Sequence, residues 1–142
     1  MIAVDTNILV YAHREETRQH RQALARLREL AEGDRQWAVP VFCLGEFVRV
    51  VTHPGVFTPP STLKDATAAL EALCASPGLT VLSPGERYWA LLRDALLEAQ
   101  ATGNLAFDAQ IVAVCREFGV ATLVSEDRDF RRFHDFALEH LS

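Results

Sequence analysis

Lysine is nearly missing from this chain: Lys64 stands alone among 14 basic side chains, and the others are arginine. Cysteine is scarce too. Cys43, Cys74 and Cys115 are far apart and odd in number, which excludes a disulfide framework, a zinc site or a redox pair. They are expected to be small core residues in a reducing compartment. The five histidines, at 13, 20, 53, 134 and 140, form no zinc-like pair and are expected on the surface or in loops. No apolar run approaches the ~20 residues of a membrane span, so no membrane partner is expected. The first ten residues are apolar but hold Asp5 and lack a basic leader region. They read as structure, not a signal peptide, and the protein is expected to be cytoplasmic. There is no repeat, low-complexity segment or interdomain linker. Its 142 residues fit one domain, 1–142.

What is present is enough to build a core: 49% of the residues are hydrophobic. The net charge of −5 argues against a general electrostatic grip on nucleic acid. It does not exclude nucleic acid as a substrate, because local charge counts for more than the sum. Arginines cluster at 14, 18, 21, 26 and 28, and again at 128, 131 and 132. They suit bidentate phosphate contact. The blander alternative is a solvated helix face interleaved with Glu15, Glu16 and Glu29.

Short strands alternate with helices. Ile2–Val4 is a buried β-branched run, and Thr6 is placed to cap a short helix over 7–12. A second helix is expected from Glu16 to about Ala31, stopped by Gly33. Trp37–Val39 forms a second strand, with Pro40 opening a helix over 41–53. Beyond a Pro-rich loop, Ser61 or Thr62 caps a helix over 63–75, and Leu79–Leu82 is a third strand. A long helix follows Gly85 and runs to about Ala101. Asn104 caps a helix over 105–118, Ala121–Val124 is a fourth strand, and Phe136–Leu138 forms a short fifth at the edge. This order predicts an α/β fold: a three-layer α/β/α sandwich around a mainly parallel sheet of four to five short strands. Ligand sites in such sheets lie beyond the carboxyl ends of the strands.

Acids stand at those ends. Asp5 follows the first strand, and Ser125, Glu126, Asp127 and Asp129 follow the fourth. Glu46 lies in "VPVFCLGEFVRVV", a helix apolar nearly all round, where glutamate needs a partner. An ion pair with Arg49 at i+3 is the structural alternative. Asp108 sits early in its helix, where a favourable charge at the dipole is the alternative. Four carboxylates meeting in one cleft raise each other's pKa values and call for a cation. Oxygen-only ligands favour Mg²⁺ or Mn²⁺.

"VDTNILVY", "LGEF", "GNLAFDAQIVAV" and "LVSEDRDFRRF" resemble the PIN-domain ribonucleases. They are most similar to the VapC toxins of bacterial toxin–antitoxin pairs. The likeness spans nearly the whole chain. It implies a PIN-like fold and a Mg²⁺- or Mn²⁺-dependent endoribonuclease that hydrolyses RNA by metal-activated water. Its acidic quartet is carried to Asp5, Glu46, Asp108 and Asp127, with Thr6 and Ser125 as supporting polar groups. Ser125 stands where threonine is common and keeps the hydroxyl. Asp129 and Glu126 adjoin the fourth acid and could contribute. The resemblance also implies a homodimer and a cognate VapB-like antitoxin whose arginine enters the cleft.

Two other classes compete. A silent scaffold would use the acidic cleft to bind an arginine-bearing peptide. Loss of a quartet member would favour it, and none is lost. A phosphorylation-controlled receiver domain also gathers acids at a sheet edge. It needs a lysine after a late strand, and Lys64 lies elsewhere. No base-stacking motif is legible, so the RNA is not named by the sequence.

Overall fold

A computed structural model describes residues 1–142. Five strands make one sheet: β1 (Ile2–Val4), β2 (Trp37–Pro40), β3 (Leu79–Leu82), β4 (Thr122–Val124) and β5 (Ala137–Glu139). All four strand pairs are parallel, in the order β3-β2-β1-β4-β5. The six helices are α1 (Thr6–His13), α2 (His20–Glu32), α3 (Phe42–Val51), α4 (Leu63–Cys74), α5 (Tyr88–Ala99) and α6 (Leu105–Glu117). A 3₁₀ turn covers Arg128–Arg132.

From β1 to β3 the chain steps one way across the sheet, and from β3 to β4 it returns past β1. With right-handed crossovers, that reversal sends α1–α4 to one face and α5–α6 to the other. The contacts follow suit: α1 packs on α2 and α3, α3 packs on α4, and α5 packs on α6. Twenty-seven buried residues form one core, with Ala3, Val4, Trp37, Ala38, Val39, Leu123 and Val124 as its sheet layer. Strands buried on both faces read as continuous apolar runs, which is why these were legible.

The structure corrects several local expectations. Asp5, not Thr6, caps α1: its Oδ1 accepts from the Thr6 backbone N–H at 2.7 Å. Pro40 ends β2 instead of opening α3. It pairs with Leu82 of β3, and the ladder to β1 has already stopped at Ala38, so its missing N–H leaves no gap there. Helix α2 starts at His20, later than Glu16, because residues 14–19 are tied into turns. Thr17 Oγ1 donates to the Arg14 carbonyl at 2.7 Å, and the Arg14 guanidinium holds Glu16 at 2.6 Å. Helix α5 starts at Tyr88, three residues past Gly85, where Glu117 accepts from the Gly85 and Arg87 backbone N–H groups. Asn104 takes the cap position of α6 without a side-chain cap bond. Thr62 caps α4 as expected, accepting from Asp65 N–H at 3.1 Å. Cys43 and Cys115 are buried, whereas Cys74 is exposed at the solvent side of α4.

Candidate active site

Strand order fixes where the site lies. β1 and β4 are neighbours, and their onward connections run to opposite sides of the sheet. A crevice therefore opens beyond their carboxyl ends. Asp5 is the first residue after β1, and Ser125 the first after β4. Helix α6 leads into β4 and so begins at the same edge, with Asp108 in its first turn. Helix α3 leaves β2 at that edge, with Glu46 about one turn in.

Asp5 is buried, 6% exposed, and held from several sides. Its Oδ1 accepts from Thr6 N–H at 2.7 Å and lies 3.9 Å from the Cys43 thiol. Its Oδ2 accepts from the Ser125 hydroxyl at 2.7 Å. Burial raises its pKa to about 6. The Ser125 and Thr6 hydrogen bonds oppose that rise, and the charges of Glu46 and Asp127 add to it. Burial and the Asp5 charge also push the Cys43 thiol well above its ordinary range, so it stays a neutral donor.

Ser125 ties two acids together. Besides donating to Asp5, its oxygen accepts from Asp127 N–H at 3.0 Å and Asn7 Nδ2 at 3.3 Å. One donor and two lone pairs are thus fully used. Asp127 Oδ1 in turn accepts from Asp129 N–H at 2.9 Å and starts the 3₁₀ turn. Asp108 is half-buried. Burial raises its pKa to about 7, with further contributions from Asp127, Asp5, Asp129 and Glu46. One carboxylate oxygen from each of Asp108, Asp127 and Asp129 lies within 4.8 Å of the others.

These acids and Glu46 line the rim of a cleft of about 920 Å³, except that Asp5 lies beneath, in the core. Asp129 therefore joins the cluster. Glu126 turns away: its carboxylate accepts from Leu141 N–H at 2.6 Å and lies 3.8 Å from His140 Nδ1. Glu46 is less buried than its apolar surroundings suggest, at 42% side-chain exposure, because α3 buries only the Cys43–Phe47–Val51 stripe. Arg49 stands 4.0 Å from Glu46, a long and exposed pair. Thr6 is buried, and its Oγ1 has no hydrogen-bond partner. Sequence reasoning did not place Asn7, Arg49, Asn104 or Phe107 at the cleft; it took Arg49 only as an ion-pair partner for Glu46 and Asn104 only as a cap. Asn7 was within reach, since it completes the "DTN" triplet; the other three depend on which helix face turns to the cleft.

The donor set is all oxygen and acidic, offset only by the long, exposed Arg49 pair, which fits a hard divalent cation. Residues 2–135 match the family model of the PIN domain. That match sets the class of the protein, and closer relatives narrow it. The chain is 41% identical over 140 residues to the VapC ribonuclease Mb2897 of Mycobacterium bovis, covering 99% of this chain and 95% of the relative. Ribonuclease VapC25 of Mycobacterium tuberculosis is 38% identical over 133 residues, covering 94% and 93%. The chain belongs to the VapC ribonucleases of the PIN-domain family. Among solved structures, Rickettsia felis VapBC2 bound to a promoter DNA fragment superposes with a TM-score of 0.70 over all of both chains at 22% identity. Mycobacterium tuberculosis VapC20, a Sarcin-Ricin loop cleaving toxin, gives 0.68 over 96% and 99% at 20% identity. At those identities the likeness speaks to the fold.

Proposed function

We propose that this ribonuclease is the toxin of a toxin–antitoxin pair and cuts RNA internally with Mg²⁺ or Mn²⁺ at the cleft between α3 and α6. The observation that carries the reading is the meeting of three carboxylates within 4.8 Å above a fourth, Asp5, that is buried and fixed. Asp108, Asp127 and Asp129 are the residues to hold the ion from the cleft side, with Asp5 beneath and Glu46 on the facing helix. When bound, the ion supplies Lewis-acid polarisation of the phosphate and activates water at neutral pH.

The chain's own residues prepare that chemistry. Thr6 N–H and the Ser125 hydroxyl fix the Asp5 carboxylate, so no side-chain ordering is left for the reaction step. Ser125 sets the Asp127 backbone in register with Asp5. Glu46, half-exposed on α3, is free to orient the attacking water. Water attacks the phosphate in line, and the sugar 2′-OH is not needed as nucleophile. The partners follow from the same reading: a VapB-like antitoxin whose arginine would fill the acidic cleft in place of the cation, and a second copy of the chain in a homodimer.

The test is to sequence cleavage ends after incubating total cellular RNA with the antitoxin-free protein and Mg²⁺ or Mn²⁺, beside Asp5→Asn. New 5′-phosphate ends that need both wild type and metal are the expected result. Ends bearing 2′,3′-cyclic phosphate, or none at all, would overturn the mechanism.

A further inference from the structure

Two residues beside the acids serve neither the fold nor the metal cluster. Helices α3 and α6 line the same cleft with the same spacing: Gly45, Glu46 and Arg49 on one, Phe107, Asp108 and Ile111 on the other. In each helix the acid directly follows an unexpected residue. Gly45 sits inside α3, where glycine is less favourable than alanine. Its backbone does not have the positive φ that would require glycine, and a Cβ built there meets nothing within 4 Å. Neither packing nor geometry within the chain explains it. Phe107 has the opposite character. It is a full aromatic ring left 62% exposed on α6, whose other apolar side chains from Ala109 to Cys115 are buried.

A helix face stripped bare beside Glu46 and an exposed ring beside Asp108 share one cleft. Bare backbone suits close approach of a ligand. An exposed ring suits an unpaired base, because every base offers a π-face. We infer that Gly45 and Phe107 form the seat of one nucleotide next to the cut, its base stacked on Phe107 and its sugar–phosphate passing over Gly45. This rests on the nuclease reading of the cleft. It makes both residues positioning residues for the reaction, and it requires that nucleotide to be unpaired.

The test uses fluorescence anisotropy of a short, labelled, mixed-sequence single-stranded RNA with Mg²⁺, on the Asp5→Asn background so that the probe survives. Adding Phe107→Ala should weaken binding about tenfold, while Phe107→Tyr should stay within about twofold of its parent. Gly45→Ala should weaken binding and leave the melting temperature equal or higher, an outcome that a structural role for the glycine would reverse. A duplex of the same sequence should bind more weakly and respond little to either change. Alongside, Phe107→Ala and Gly45→Ala in the active protein should slow cleavage of total RNA. If wild type cuts RNA with metal but both variants bind and cut as well as it does, the seat fails and the nuclease stands. If wild type makes no metal-dependent cuts yet single-stranded binding shows the expected losses, the nuclease reading fails and the seat stands as a single-strand contact alone, no longer as one that positions a cut. Failure of the Asp5→Asn protein to bind the single strand would overturn the seat.

Discussion

Asp5 and Asp108 carry the same carboxylate into the proposed site under different regimes. Asp5 accepts two hydrogen bonds at 2.7 Å, and burial still lifts its pKa to about 6. Asp108 is less buried, no hydrogen bond counters its rise, and it reaches about 7 with Asp127 and Asp129 close by. One half of the site is built into the fold. The other half is a set of charges whose repulsion is relieved by a bound proton or a cation. The fixed acid should thus matter for geometry, and the loose acids for metal affinity.

The largest expected effect tests the fixed half. Asp5→Asn keeps an acceptor for Thr6 N–H and removes the charge, but it turns an amide N–H toward the Ser125 hydroxyl and loses that bond. Cleavage should fall by at least about 10²-fold. The metal-free protein should melt close to the wild-type temperature at pH 7, because losing the buried charge offsets losing the Ser125 hydrogen bond. Loss of activity together with loss of stability would mean that Asp5 is chiefly a cap.

Proton linkage probes both halves. The folded pKa values of about 6 and about 7 lie above the ordinary 3.8, so between about pH 4 and 7 the folded state binds more protons than the unfolded one. Stability contributed by these groups is therefore lost as pH rises through that window, and the loss is complete above it. For Asp5 it amounts to about 3 kcal/mol; half-exposed Asp108 adds less than its own rise implies, since solvent screens it. Because His13, held below its ordinary value by burial, pulls the other way, the comparison must be with a variant. Asp108→Asn should lose less stability than wild type between pH 4 and 7 in chemical denaturation without metal. Saturating Mg²⁺ or Mn²⁺ should flatten the wild-type slope. At tenfold excess over its dissociation constant it should stabilise by about 1.4 kcal/mol, reversed by EDTA.

Ser125 joins the two halves, and its removal should cost less than either. Ser125→Ala strands a buried Asp5 oxygen and the Asp127 N–H. A loss of about 1–3 kcal/mol is expected, with slower cleavage, and Ser125→Thr should restore both. Failure of threonine to rescue would mean that β4 lacks room for the extra methyl, and would detach the hydroxyl from the argument.

The fixed half was also the legible half. Asp5 and Ser125 follow apolar strands, and the parallel-sheet rule points at whatever stands there. Asp108 was reachable because α6 runs into β4. The strand order was not, because a 3-2-1-4-5 sheet depends on long-range pairing that leaves no local mark. Helix faces were the harder problem. The apolar run 41–51 suggested a helix buried all round, yet only one stripe of α3 meets the core, and Glu46 emerges half-exposed. Which residues of α3 and α6 turn to the cleft follows from how the crossovers pack, so Gly45 and Phe107 stayed unread and Arg49 was read only as a partner for Glu46. Thr6 and Pro40 misled because each is a good helix starter by local preference, whereas Asp5 took the cap of α1 and β2 kept Pro40 as its last residue.

Arg49 gives the smallest expected effect and the finest test. If Glu46 were a structural partner for Arg49, the pair would be close and shielded. It is 4.0 Å long, with side chains 68% and 42% exposed. Such pairs contribute little, so Arg49→Ala should change stability by less than about 0.5 kcal/mol. The guanidinium still lines the cleft, where it can meet the phosphate of an incoming strand. Cleavage should therefore weaken a fewfold at low salt, chiefly through KM, and the difference should fade as ionic strength rises. A large loss of stability would restore Glu46 to the fold and leave the loose half of the site with Asp108, Asp127 and Asp129 alone.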